Sequence, residues 1–259
     1  MIHPEPEIPC TANMQIILLG TTGYHPNDRR HTPAMLLPAS GVLLDAGTAM
    51  YRAGRYLQTR ELDIFLTHAH FDHVIGLTYL FDVVRDHPLD RVRVHALAEH
   101  LSAVEEHLFA PAMFPKRPPY ESCPLRGDVA LAAGGRLSWF PLAHQGSAVG
   151  FRLDWPGHSM AYVTDTTAKP DAEYVKKIAG VDLLLHECHY DDEGAPWAGP
   201  TGHSSTSQVA QVARQAGVGK LVLIHINPRR LEDDPVGLPT ARAIFPNTQV
   251  GEDLMELEF

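Results

Sequence analysis

The sequence has few of the features that mark secreted, membrane-spanning or polyanion-binding proteins. Only three cysteines occur in 259 residues, Cys10, Cys123 and Cys188, so neither a paired disulfide framework nor a Cys-x-x-Cys metal site can be drawn. No apolar run reaches the roughly 18 residues of a membrane-spanning helix. Basic residues number 21 against 31 acidic ones, and the formal net charge of −10 disfavours broad capture of nucleic acid.

The opening segment MIHPEPEIPC lacks the basic start and apolar stretch of a signal peptide. We therefore expect residues 1–13 to form a short tail and the protein to be cytoplasmic. Apolar residues make up 44% of the chain and charged residues 20%, which is typical of a globular protein. The length allows one large domain or two small ones, and we favour a single domain over residues 1–259.

Hydrophobic periodicity predicts many short strands in two groups, each followed by helices. The first group includes MQIILLG, AMLL, GVLL, ELDIFLT and RVRVHAL, and the second includes RLSWFPL, AVGFRLDW, SMAYV, VDLLLHE and LVLIHI. Between the groups, the proline-rich segment 109–123 predicts a loop, either a wall of a binding site or a plain surface crossing. The order of elements predicts two sheets packed face to face with helices outside.

Histidine is the residue that stands out, with 16 in the chain, and the segment THAHFDH holds three of them. His68 and His70 lie two apart at the end of a predicted strand, so their side chains point the same way. Asp72 and His73 begin the following helix, where the chain curls back. A water-exposed turn rich in histidine is the simpler alternative, but it leaves this density unexplained. The segment therefore predicts a metal site.

Further ligands are expected where other strands end, because sites in sheets of this kind gather outside the carboxyl ends of the strands. His144, Asp165 and His225 each follow an apolar strand and precede turn residues. Taken singly, each has a simpler role, as a loop histidine, a turn aspartate or a core histidine. Together with the THAHFDH segment they provide seven candidate ligands.

These residues resemble the metallo-β-lactamase superfamily of binuclear hydrolases. THAHFDH has the superfamily's HxHxDH form, and Asp45 in LLDAG, His144, Asp165 and His225 follow in its order. The resemblance implies an α+β fold, a four-layer αββα sandwich of two mixed sheets. It implies one metal on His68, His70 and His144, a second on Asp72, His73 and His225, and Asp165 bridging both. Asp45 would orient a ligand or pack beneath the site.

Within the superfamily the chain most resembles the ribonuclease Z branch, through LLGTTGYHPNDRRHTPAMLL and GHSSTSQVAQVARQAGVGKLVLIHINPR. In that branch a glutamate and a histidine cooperate in proton donation, and they correspond to Glu187 and His203. The best-known bacterial members grip transfer RNA with an arm inserted between the counterparts of His144 and Asp165. Here those residues are only 21 positions apart, which leaves room for two strands and no arm. Long RNA is therefore disfavoured as a substrate.

The resemblance implies a binuclear-metal-dependent hydrolase with Asp72, Glu187 and His203 as its catalytic residues. The net positive charge of two cations suits a phosphodiester, so we expect a phosphodiesterase that uses a metal-bridging hydroxide on a small or medium, anionic, nucleotide-like substrate. The alternatives are a ribonuclease Z-type transfer-RNA 3′ endonuclease, a lactone or thioester hydrolase, and a non-catalytic binding module. Two zinc ions are expected, although the ligands also accept manganese or iron. We expect no membrane partner, and the sequence leaves a homodimer open.

Overall fold

The computed structural model describes residues 14–259, so the expected tail at residues 1–13 lies outside the described residues. Within this range, strands form two mixed sheets of seven strands each. In chain order they are β1 (Gln15–Gly20), β2 (Ala34–Leu37), β3 (Val42–Leu44), β4 (Glu61–Phe65), β5 (Arg91–Ala96), β6 (Glu121–Pro124), β7 (Val129–Ala130), β8 (Arg136–Leu142), β9 (Ala148–Trp155), β10 (His158–Val163), β11 (Leu183–Glu187), β12 (Lys220–Ile224), β13 (Thr248–Val250) and β14 (Met255–Glu258).

Each sheet has an antiparallel half and a parallel half. The first sheet has the order β14-β1-β2-β3-β4-β5-β6, and its strands are parallel from β3 to β6. The second has the order β13-β12-β11-β10-β9-β8-β7, with parallel pairing from β10 to β13. The parallel halves matter for function, because their carboxyl ends supply most of the candidate site.

The helices cover the outer faces of the sheets. They are α1 (Phe71–Val74), α2 (Leu80–Asp86), α3 (Ala98–Ala103), α4 (Glu173–Lys177), α5 (Ala195–Thr201), α6 (Thr206–Ala216) and α7 (Leu238–Ile244), with short 3₁₀ segments at Thr48–Arg55, Ile75–Tyr79 and Ala132–Gly134 and a π-helical turn at Val104–Leu108. One apolar core lies between the sheets and includes Phe65, Phe151 and Tyr162. Each sheet has one further core on its outer face, between its strands and its helices. The predicted four-layer αββα sandwich is confirmed.

Two sequence predictions need correction. The helix expected to begin at Asp72 and His73 is not continuous, because the 3₁₀ segment Ile75–Tyr79 separates α1 from α2. Gly76 lies so close to the turn after β3 that a Cβ there would meet the Gly47 carbonyl oxygen at 2.2 Å, so contact with this turn overrides regular α-helical geometry. The segment 109–123 is not entirely loop, because β6 begins within it and pairs with β5. As an edge strand, β6 tolerates Pro124.

Candidate metal centre

The structure brings all seven candidate ligands together at strand carboxyl ends of both sheets. His68 and His70 follow β4, and Asp72 and His73 lie on α1 directly after them. The other three follow strands of the second sheet and are His144 after β8, Asp165 after β10 and His225 after β12. Because this geometry unites residues up to 157 positions apart, the local density of histidine in THAHFDH is one part of a larger cluster.

The cluster has two parts that share one carboxylate. The possible ligand atoms of His68, His70, His144 and Asp165 lie within 4.8 Å of one another, and so do those of Asp72, His73 and His225. One oxygen of Asp165, Oδ2, lies 3.5 Å from Nε2 of both His68 and His144. The other, Oδ1, lies 3.3 Å from His73 Nε2 and 3.1 Å from His225 Nε2. Asp165 thus presents one oxygen to each part.

The donor atoms fit divalent metal ions. Nε2 of His68 and of His144 is buried without a hydrogen-bond partner. His144 donates Nδ1–H to the Gly202 carbonyl at 3.1 Å, which leaves the Nε2 lone pair directed at the cluster. Tetrahedral zinc with bonds of 2.0–2.1 Å holds its ligand atoms about 3.3 Å apart, close to the separations around Asp165.

The electrostatics of the cluster favour a bound cation. Burial lowers the pKa of His73, but the carboxylates of Asp72, Asp165 and Asp45 outweigh it and raise this pKa well above its ordinary value. Burial raises the pKa of Asp165, whereas His225, His73 and His68 lower it more strongly, so the carboxylate stays ionised. The three carboxylates around His73 attract positive charge. A proton on His73 supplies it in the absence of a metal ion, and a bound metal ion would take its place.

Asp45 is the residue that orients His73. Its carboxylate is fully buried, and Oδ2 accepts hydrogen bonds from His73 Nδ1 and from the Tyr162 hydroxyl, both at 2.8 Å. Oδ1 accepts from the Thr67 amide at 2.8 Å and from the Thr67 hydroxyl at 3.0 Å. The Nδ1–H bond fixes the tautomer of His73 and leaves Nε2 free to bind a metal.

The backbone is strained where the site is built. Tyr24, Asp45, Asp165 and His225 all have positive φ, between 45° and 64°, a region that side-chain-bearing residues rarely adopt. Such strain persists only where the surrounding structure enforces it, and it concentrates at functional sites. Asp165 and His225 follow β10 and β12 and carry ligand atoms of the cluster, and Asp45 follows β3 and holds His73.

Glu187 and His203 form a pair beside the metal cluster. Glu187 ends β11 and is fully buried, and its Oε1 accepts from His203 Nδ1 at 3.1 Å and from the Thr166 amide at 2.9 Å. Oε2 accepts from the Ser204 amide at 3.2 Å. Burial lowers the pKa of His203, but Glu187 outweighs this effect, and the pKa rises to about 9.

A cavity of about 150 Å³ opens onto both the cluster and His203. Its lining residues are Tyr24, His70, Asp72, His144, Gln145, Asp165, Thr201, His203 and His225. Phe71 is exposed between the lining residues His70 and Asp72. The segment 109–123, which the sequence offered as a possible wall of a binding site, contributes no residue to the described lining.

Sequence reasoning missed two glycines that the site requires. A Cβ on Gly23 would lie 2.1 Å from Cε1 of His225, and one on Gly202 would lie 2.8 Å from Nδ1 of His144. It also missed Gln145 and Thr201 as lining residues. Both glycines lie in the two segments that resemble the ribonuclease Z branch, and that position is the signal that could have found them.

The chain matches known proteins over most of its length. Residues 41–226 match the family model described as beta-lactamase superfamily domain. A ribonuclease Z from Synechococcus sp. (strain CC9902) is 30% identical over 95% of this chain and 98% of its own length. A ribonuclease Z from Archaeoglobus fulgidus is 26% identical over 94% of this chain and 97% of its own. These alignments span 315 and 305 positions, more than the 259 residues here, so both relatives carry segments without a counterpart.

The fold is also that of a solved structure. The metallo-β-lactamase fold protein YhfI from Bacillus subtilis superposes with a TM-score of 0.76 at 18% identity, covering 96% of this chain and 100% of that one. The chain therefore belongs to the beta-lactamase superfamily of metal-dependent hydrolases, in its ribonuclease Z-like branch.

Proposed function

We propose that this protein is a phosphodiesterase that holds two divalent metal ions, in the first instance zinc. The observation that carries the proposal is the shared Asp165 carboxylate, which faces two sets of donors beside an open cavity. The first ion would be held by His68, His70 and His144, the second by Asp72, His73 and His225, and Asp165 would contact both. When bound, such ions supply a water nucleophile near neutral pH and positive charge for the phosphoryl oxygens.

The chain's own contribution to the reaction is proton donation to the leaving oxygen. His203 is held at Nδ1 by Glu187 and lines the cavity, so its other ring nitrogen is the one available to a substrate. The Glu187 carboxylate raises the pKa of this imidazole, which favours its protonated form at neutral pH. As the P–O bond breaks, that proton passes from His203 to the departing oxygen, and Glu187 stabilises the imidazolium beforehand.

A small or medium nucleotide-like diester fits the surface around the cavity. Between His144 and Asp165 the chain forms only the hairpin of β9 and β10, so no inserted arm is present there to hold a long RNA. Tyr24 and Phe71 are 77% and 67% exposed beside the cavity, which suits stacking of flat rings such as nucleobases. The relatives named ribonuclease Z make a transfer-RNA precursor the second candidate substrate.

Substrate classes can be separated with one metal-loaded preparation. We expect hydrolysis of bis(p-nitrophenyl) phosphate and of short dinucleotides, with slower turnover of a lactone and of a glutathione thioester. Faster turnover of the lactone or of the thioester would replace the phosphodiesterase proposal with that of a lactone or thioester hydrolase. Accurate 3′ cleavage of a transfer-RNA precursor at a higher kcat/KM than any dinucleotide would favour the second candidate.

The acid role of His203 has its own test. His203→Ala should lower turnover strongly for substrates that leave as alkoxides and only slightly for nitrophenyl esters, because nitrophenolate departs without a proton. A matched control is His107→Ala, which removes an exposed histidine that does not line the cavity. Equal losses on both kinds of substrate would refute the acid role.

A further inference from the structure

His189 is a buried histidine that neither the candidate ligands nor the proton donor account for. It is 9% exposed, and its Nδ1 is buried without a hydrogen-bond partner. Its ring stacks on that of His203, with centroids 4.6 Å apart and planes 18° apart, and its centroid lies 5.9 Å from that of His225. A buried histidine with an unsatisfied nitrogen needs a reason to be there.

The position of His189 follows from the strand that carries Glu187. In an extended chain, side chains two residues apart point to the same side. Glu187 and His189 therefore both reach toward His203. Backbone bonds fix this segment on both flanks. The Cys188 amide donates to the Ile224 carbonyl at 2.8 Å, and the Tyr190 amide donates to the Ser204 carbonyl at 3.1 Å.

The ring geometry argues against a third metal site at this place. Possible ligand atoms of His189, His203 and His225 lie within 4.8 Å of one another. However, the lone pair of an imidazole nitrogen lies in the plane of its ring. Two nearly parallel rings stacked 4.6 Å apart therefore cannot direct lone pairs at one ion between them. The contact of His189 with His203 is one of ring faces.

We propose that His189 is a positioning residue that holds the imidazole of His203 in the orientation required for proton donation. The inference rests on the proposed function of His203 as the acid. Glu187 restrains the ring within its plane, at Nδ1, while His189 restrains it against tilting by covering one face. His189 exchanges no proton. The proton that the leaving oxygen receives comes from His203 alone.

Two substitutions at His189 separate positioning from plain packing. His189→Ala removes the ring, whereas His189→Phe keeps a flat face of similar size without either nitrogen. We expect His189→Ala to lower kcat on an alkoxide-leaving dinucleotide about five- to thirtyfold, with KM little changed, because the donor ring would be less often aligned with the leaving oxygen. On bis(p-nitrophenyl) phosphate the same variant should lose less than about twofold. His189→Phe should recover most of the lost dinucleotide activity.

Failure of the positioning role can be distinguished from failure of the proposed function. Equal losses of kcat on both substrates, failure of His189→Phe to recover activity, or a loss of metal content in parallel with activity would overturn the positioning role. If His203→Ala shows leaving-group dependence and His189→Ala does not, only the positioning role fails. If wild-type protein hydrolyses neither phosphodiester, the proposed function itself has failed.

Discussion

Replacing Asp45 by asparagine tests how the centre is held in place. The substitution keeps the shape of the side chain but turns one acceptor oxygen into an NH₂ donor. With the amide oxygen toward Thr67, the NH₂ group faces two donors, His73 Nδ1–H and the Tyr162 hydroxyl. Each buried donor left without an acceptor costs about 1–3 kcal/mol. Because the hydroxyl can rotate to accept, only the His73 donor is left unsatisfied, and we expect the free energy of unfolding to fall by about 1–3 kcal/mol.

The same substitution should weaken metal binding. Without the Asp45 acceptor, His73 can move its proton to Nε2, the nitrogen that would bind the metal ion. Loss of such an outer hydrogen bond typically lowers metal affinity about 10- to 100-fold. Urea denaturation of the metal-free protein measures the stability change, and competition with a fluorescent chelator measures the affinity.

Tyr162→Phe is the matched control for Asp45→Asn. It removes one hydrogen-bond donor and leaves the carboxylate and the His73 bond intact. We expect it to cost about 1 kcal/mol of stability with metal affinity nearly unchanged. If Asp45→Asn binds metal as tightly as wild type, Asp45 does not set the tautomer of His73 and the reasoning is refuted.

Two further substitutions test the cavity wall and an ion-pair cluster outside it. Gly23→Ala should lower metal content and activity while the protein still folds, because the new Cβ must displace the His225 ring, only 2.1 Å away. Burial raises the pKa of Asp63, but hydrogen bonds from His95 and Arg93 lower it below its ordinary value of 3.8. Its stabilising contribution is therefore complete above pH 3.8 and is lost as the pH falls through its lower folded-state pKa. Asp63→Asn should reduce stability at pH 6, and the difference from wild type should shrink below about pH 4.

Both tests have controls elsewhere on the surface. Gly127→Ala introduces a Cβ that meets nothing within 4 Å, so it should leave metal content unchanged. Asp82→Asn removes an exposed carboxylate on α2 whose nearest ion-pair partner, Arg85, is 4.0 Å away. Full metal content in Gly23→Ala, or a stability difference for Asp63→Asn that is as large at pH 3 as at pH 6, would contradict these predictions.

The features predicted best from the sequence are those with a local signature. Four of the seven candidate ligands were found because they crowd into THAHFDH, and the other three because each follows an apolar strand whose carboxyl end is expected to meet the others in space. The order of the strands was enough to predict the layers. By contrast, the break at Gly76 comes from contact with Gly47, 29 positions away, and no local pattern reports it.

Contacts between distant residues account for most of what the sequence did not predict. Arg30 is 1% exposed, and its guanidinium donates to Glu252 and to the Thr21 hydroxyl, both at 2.6 Å. The sequence gives no sign that Arg30 is buried or that it pairs with Glu252, which follows 222 positions later. His189 was missed for a related reason. Its spacing from Glu187 becomes informative only once the extended path of the chain and the place of His203 are known.

The metal content of the protein tests the central claim most directly. Purified without chelators and analysed by inductively coupled plasma mass spectrometry, the wild-type protein should contain about two divalent ions per chain. Asp165→Ala should contain one or fewer, because its carboxylate faces both sets of donors. Fewer than one ion per wild-type chain, or an unchanged content in Asp165→Ala, would contradict a shared two-metal centre.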